Sequence, residues 1–131
     1  MFRNLSNLSL VVATLTMMKM RSSLVVDYAG GHGFLVRLLR DFGLNALWSD
    51  PYCDNLVARG FEYKNEGHAK LITAFETFEH FTNPCDEISK MLDIAPNILF
   101  TTSIISNPAP QPISWWYYGL EHGQHIGFYR I

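Results

Sequence analysis

The stretch from residue 24 to residue 50, LVVDYAGGHGFLVRLLRDFGLNALWSD, constrains the fold more than any other part of the chain. Leu24, Val25 and Val26 form a continuous apolar run that ends in an acid, Asp27. A turn of small residues follows, Ala29-Gly30-Gly31-His32-Gly33. Beyond it Phe34, Leu35, Leu38, Leu39 and Phe42 share one helical face, and Gly43 supplies a stop. A second apolar run at residues 46–48 leads to another acid, Asp50. Strand, glycine turn, helix, strand is half of a doubly wound α/β fold, which binds ligands at the carboxyl ends of its strands.

The rest of the chain continues the alternation. Pro51 is placed to open a helix running to Arg59, with Gly60 at its end. Residues 61–63 read as a very short third strand, 71–75 as a fourth and 97–104 as a fifth. Between the last two, Thr82-Asn83-Pro84 supplies a cap and a first-turn proline, and the acids Asp86 and Glu87 suit a helix N-terminus. The expected architecture is α/β and Rossmann-like: a doubly wound, mostly parallel sheet of about five strands with helices on both faces. A proline-rich loop, SNPAPQP, then leads to an aromatic cluster and to Glu121-His122-Gly123-Gln124-His125, after which a further helix is expected to begin.

Residues 1–22 read as a leading amphipathic helix that packs on the sheet or on a partner chain, and residues 23–131 as the domain proper. Lys19 and Arg21 follow the apolar stretch of that helix directly, without a small-residue cleavage site, and the stretch is too short to span a bilayer. The net charge of −2 gives no electrostatic footprint for nucleic acid, and no membrane partner is expected. Cys53 and Cys85 form neither a CxxC pair nor a disulfide framework, which fits a reduced, cytoplasmic setting.

The details of the turn bear on the ligand. A dinucleotide fingerprint needs a third glycine where Val36 stands, and a carboxylate at Asp27 repels a pyrophosphate. A nicotinamide-dependent oxidoreductase is therefore disfavoured. Asp27 suits a cationic group, and Asp50 suits the two hydroxyls of a ribose. Ammonium, ribose and adenine together describe S-adenosylmethionine.

Four segments then resemble the class I S-adenosylmethionine-dependent methyltransferases, of the broad group that includes the ubiquinone-biosynthesis O-methyltransferases. Asp27-Tyr28-Ala29-Gly30-Gly31-His32-Gly33 resembles the family's D-x-G-x-G-x-G loop, and Asp50 its acid after the second strand. Ala74-Phe75-Glu76-Thr77-Phe78-Glu79-His80-Phe81 resembles its E-V-L-E-H-V segment, and residues 121–126 a histidine-bearing loop after the fifth strand. The resemblance implies that Asp27, Tyr28, Ala29, Gly30, Gly31 and Gly33 approach the methionine moiety with Phe75 and Glu76 beside it. It also implies that Asp50 holds the ribose and that Pro51 and Tyr52 contact the adenine.

Two departures from the pattern follow. Ala29 replaces the first glycine, which is tolerable where that position keeps a negative φ. The family's last two strands have no counterpart in the sequence, so either the chain is a fragment or a partner, such as a second copy, covers the exposed sheet edge.

Methyl transfer to a small-molecule acceptor, with oxygen as the nucleophile, is the expected activity. A non-catalytic domain that binds only the cofactor or a partner is the alternative. An oxygen nucleophile needs a base, for which His80 or one of His122 and His125 is the candidate. Glu79, Trp115, Tyr118 and His122 are candidate acceptor contacts, and His32 is expected to point away from the turn. Glu121, His122 and His125 have a spacing that permits a metal, but the family generally needs none and no metal is expected.

Overall fold

The computed structural model describes residues 2–65, 67–121 and 123–130. Helix α1 (Phe2–Met17) leads into β1 (Val25–Tyr28), α2 (Phe34–Asp41) and β2 (Ala46–Ser49). Strand β3 (Leu71–Phe75), α3 (Pro84–Ile94) and β4 (Ile98–Thr101) follow, with single 3₁₀ turns at Phe78–His80 and Trp116–Tyr118. The four strands form one parallel sheet in the order β2-β1-β3-β4. No helix among the described residues is long and apolar enough to cross a membrane.

Strand alternation sorts the core into two layers. Val25 and Leu71 face one side and pack with Val11 and Leu15 of α1 and Leu35, Val36 and Leu39 of α2. Val26, Ile72 and Ala74 face the other and pack with Met91 of α3 and Phe78. Every one of these strand residues is essentially buried, as strands covered on both faces require. The sheet is thus doubly wound, with α1 and α2 on one face and α3 on the other.

Both well-formed helix boundaries come from local chemistry. Helix α2 ends in a Schellman motif: Gly43 N donates to Arg40 O, Leu44 N donates to Leu39 O, and Gly43 takes φ +83°. Helix α3 starts at Asn83, whose side chain accepts from Asp86 N, with Pro84 in the first turn.

Four expected elements are absent or shorter. The helix expected at residues 51–59 does not form; Asp50 Oδ1 accepts from Tyr52 N and Cys53 N, and the Asn55 side chain exchanges hydrogen bonds with Ala58 N and O. Such side-chain bonds offer the backbone an alternative to the helix. The third strand is reduced to one bridge, Trp48 with Glu62, so the sheet has four strands rather than five. The last strand stops at Thr101, because the Tyr117 hydroxyl takes the Ser103 N–H that a longer ladder would use. Residues 123–130 are irregular instead of starting a helix, and Tyr129 bridges to Ile104.

Candidate functional site

The chain leaves β1 for β2 on one side and returns to β3 on the other, so the strand order reverses between β1 and β3. Loops after these two strands diverge there and open a crevice at their carboxyl ends. The crevice encloses about 450 Å³. Asp27, Ala29, Gly30 and Gly31 line it from the first loop, and Phe75, Glu76, Glu79 and His80 from the second. His125 closes it from the chain's last segment.

Asp27 lies at the bottom of this crevice, 4% exposed, and accepts a 2.6 Å hydrogen bond from the Thr73 hydroxyl on the adjacent strand. Burial is the main cause that pushes its carboxyl up to about 7, and the nearby Asp50 charge adds to the rise while Thr73 opposes it. The backbone approaches closely at Gly30, where a Cβ would come within 2.8 Å of Asp27 Oδ2. At Gly33 φ is +88° and a Cβ would meet the Asn55 side chain at 2.6 Å, so this glycine shapes the turn at the start of α2 without lining the crevice.

Ala29 takes φ +57°, the left-handed conformation that its alanine was expected to avoid. Glu76, at the matching position after β3, takes φ +51°. Strained residues at two loop ends facing one crevice are characteristic of a functional site. A Cβ costs about 1–2 kcal/mol in that region, of which glycine's chain entropy returns about 0.5–1 kcal/mol. Ala29→Gly is therefore expected to stabilise the chain by about 0.5–1 kcal/mol in urea unfolding; a loss of stability would contradict the strain.

A second hollow of about 530 Å³ lies on the other side of the first loop, lined in part by Tyr28, Asp50 and Pro51. The Tyr28 phenol donates to Glu87 Oε2 at 2.7 Å. Asp50 is heavily engaged: Oδ2 accepts from Gly31 N at 2.9 Å, and Oδ1 from Tyr52 N and Cys53 N. Tyr52 itself is 94% exposed. Trp115 and Tyr118 pack on each other and on Phe128, away from the first crevice, and His122 lies outside the described residues.

Several lining residues were not anticipated. Arg3, Asn4 and Asn7 reach the crevice from α1, and Trp116 and Tyr117 from the aromatic cluster. Arg3, Asn7, Val11 and Leu15 are spaced by four, so one helical stripe is apolar over the core and polar over the crevice. Asn7 is only 7% exposed, and its carboxamide makes no hydrogen bond among the described residues. A single asparagine interrupting an apolar stripe is the sequence signal that marks it. His32 is also at the crevice, and its ring turns to Asp54, outside the crevice lining, with Nδ1 3.2 Å from Asp54 O.

The tail completes the site. Ile126 N and Gly127 N both donate to Glu79 O, and Tyr129 donates its hydroxyl proton to Phe78 O. This clamp brings the His125 ring to 4.9 Å from that of His80.

A family profile described as a methyltransferase domain matches residues 5–131. The chain belongs to this methyltransferase-domain family. The match begins inside α1 and runs through the tail, so it spans both the turn at residues 27–33 and the clamp at residues 123–130. A methyltransferase domain of the class I type also accounts for the sheet order and for the crevice between β1 and β3. Neither the curated proteins nor the solved structures compared with this methyltransferase domain gave a match.

Proposed function

We propose that this methyltransferase domain binds S-adenosylmethionine across the two hollows and methylates a hydroxyl of a small-molecule acceptor. The observation that carries the proposal is the pairing in one crevice of a buried acid, Asp27, with the Asn7 carboxamide, which makes no hydrogen bond among the described residues. An α-amino acid group needs an anion for its ammonium and donors for its carboxylate. Asp27 supplies the first, and Asn7 and Arg3 supply the second. The close approach of the backbone at Gly30 leaves room beside Asp27 that any larger residue would fill. Asp50 and Pro51, at the second hollow, suit the ribose and adenine.

When bound, the cofactor supplies an electrophilic methyl group. The chain's contribution is orientation and proton transfer. Holding two reactants in line supplies about 7–11 kcal/mol of barrier lowering. His80 Nδ1 lies 2.8 Å from Gln124 O, a pure acceptor, so Nδ1 carries a proton and Nε2 is the basic nitrogen. His125 is fixed in the same sense by Tyr117 O. Either imidazole is thus oriented to take a proton from an acceptor hydroxyl in the crevice.

The test is transfer of isotope-labelled methyl from S-adenosylmethionine to phenols and to amines. Label on phenolic oxygen, slowed by about 10²-fold or more in His80→Ala, is the expected result. Label on amines alone, or an unchanged rate in that variant, would contradict oxygen as the nucleophile.

A further inference from the structure

We propose that Glu79, His80 and His125 form a binding site for one divalent transition-metal ion of the zinc class. Among the described residues the cluster draws on Glu79 and His80 and not on Glu121, which the spacing in the sequence suggests beside His125, while His122 lies outside the described residues. Each of the three offers one ligand atom, and those atoms lie within 4.8 Å of one another. Ligand atoms around a tetrahedral ion with bonds of about 2.1 Å stand roughly 3.4 Å apart, so binding draws the three together by about an ångström.

Three independent features support a metal over a simple polar cluster. The first is the tautomer of each histidine. His80 Nδ1 faces Gln124 O and His125 Nδ1 faces Tyr117 O, both backbone carbonyls. Each ring therefore carries its proton on Nδ1 and its lone pair on Nε2, and ligating histidines are oriented in the same way by outer-shell carbonyls. The second is Glu79, which is 1% exposed. Its carboxylate has only neutral hydroxyl partners, a long 3.3 Å hydrogen bond from Thr102 and the phenol of Tyr117, and no side-chain cation lies in ion-pair range among the described residues. Buried carboxylates are paired or coordinate metals. The third is access: all three residues line the first crevice, so an ion held by them keeps an open position toward it, as catalytic rather than structural sites do.

The donor set decides the class of ion. Two imidazole nitrogens and one carboxylate suit zinc, cobalt(II) or iron(II), whereas magnesium and calcium prefer oxygen throughout. The backbone that holds the set is braced, because Glu79 O takes both Ile126 N and Gly127 N. If methyl transfer to a hydroxyl is right, a bound ion would take over the activating role that the metal-free site leaves to the imidazoles, because its open position faces the acceptor and would acidify its oxygen. That consequence rests on the proposed function, but metal binding itself does not.

The experiment is calorimetric titration of the chelator-treated full chain with zinc chloride, without cofactor or acceptor. One zinc per chain is expected, with His80→Ala and His125→Ala each weakening it at least tenfold and His68→Ala leaving it unchanged. His80 is exposed, so its variant tests the ligand without disturbing the core. X-ray absorption of the zinc-loaded wild type provides a readout that needs no variant. Two imidazoles per zinc and no sulfur are expected there. No binding, binding indifferent to both histidines, or a sulfur shell at about 2.3 Å from the exposed Cys53 or Cys85 would overturn the proposal.

Discussion

Asp27→Asn is expected to abolish most of the loss of stability that the wild-type chain shows as pH rises from 4 to 7. Burial holds the Asp27 carboxyl in its protonated form up to about 7, against 3.8 for the ordinary group. Below pH 4 the residue is protonated in the folded and unfolded chains alike, and the stabilising contribution is complete. As pH rises the unfolded chain releases this proton while the folded chain keeps it, so stability falls until the folded group also ionises near pH 7. The difference amounts to about 4 kcal/mol in order of magnitude. Asparagine cannot ionise and keeps an oxygen to accept from Thr73, so urea unfolding at pH 4, 5.5 and 7 should show a much flatter profile. Equal slopes in the two proteins would contradict the assignment. The same linkage has a consequence for binding: a ligand ammonium beside Asp27 favours the carboxylate, so binding at pH 6 should release a proton. Calorimetry in buffers of different ionisation enthalpy measures that proton directly.

Asp50→Ala is expected to destabilise the chain by about 2–3 kcal/mol and to abolish cofactor binding. Its carboxylate accepts three backbone N–H groups, from Gly31, Tyr52 and Cys53. Hydrogen bonds to a charged group contribute about 1.5–3 kcal/mol each, although the exposed Tyr52 and Cys53 amides regain water when the acceptor is removed. The bond to Gly31 matters most for function, because it ties the glycine turn to the end of β2 together with the Trp48 indole on Gly31 O. Asp50→Asn keeps one acceptor oxygen and should fall between the two proteins. Chemical denaturation orders the three; an alanine variant as stable as wild type would show that the turn holds its shape without Asp50.

These two acids illustrate what the sequence made legible. Parallel strands put both at carboxyl ends, and apolar runs such as Val25-Val26 and Leu71-Ile72 locate those ends without any tertiary information. The crevice between β1 and β3 follows from topology. Residues 51–59 were harder to read, because Pro51 and Gly60 bracket them as they would a helix, while Asp50 and Asn55 capture the amides that a helix would use. The contribution of α1 depends on how that helix lies on the sheet, which only packing decides. Likewise the meeting of His80 with His125, forty-five positions apart, depends on the tail's bonds to Glu79 O. Local pattern carries no trace of that path.

The most direct measurement is calorimetric titration of the chain with S-adenosylhomocysteine at pH 7, beside Asn7→Ala. Micromolar, one-to-one binding that Asn7→Ala weakens about tenfold, or about 1.4 kcal/mol, is expected, since Asn7 lines the crevice and its carboxamide makes no hydrogen bond among the described residues. A folded wild-type chain that takes up no ligand, or one that binds it equally well without the Asn7 amide, would contradict the site described between β1 and β3.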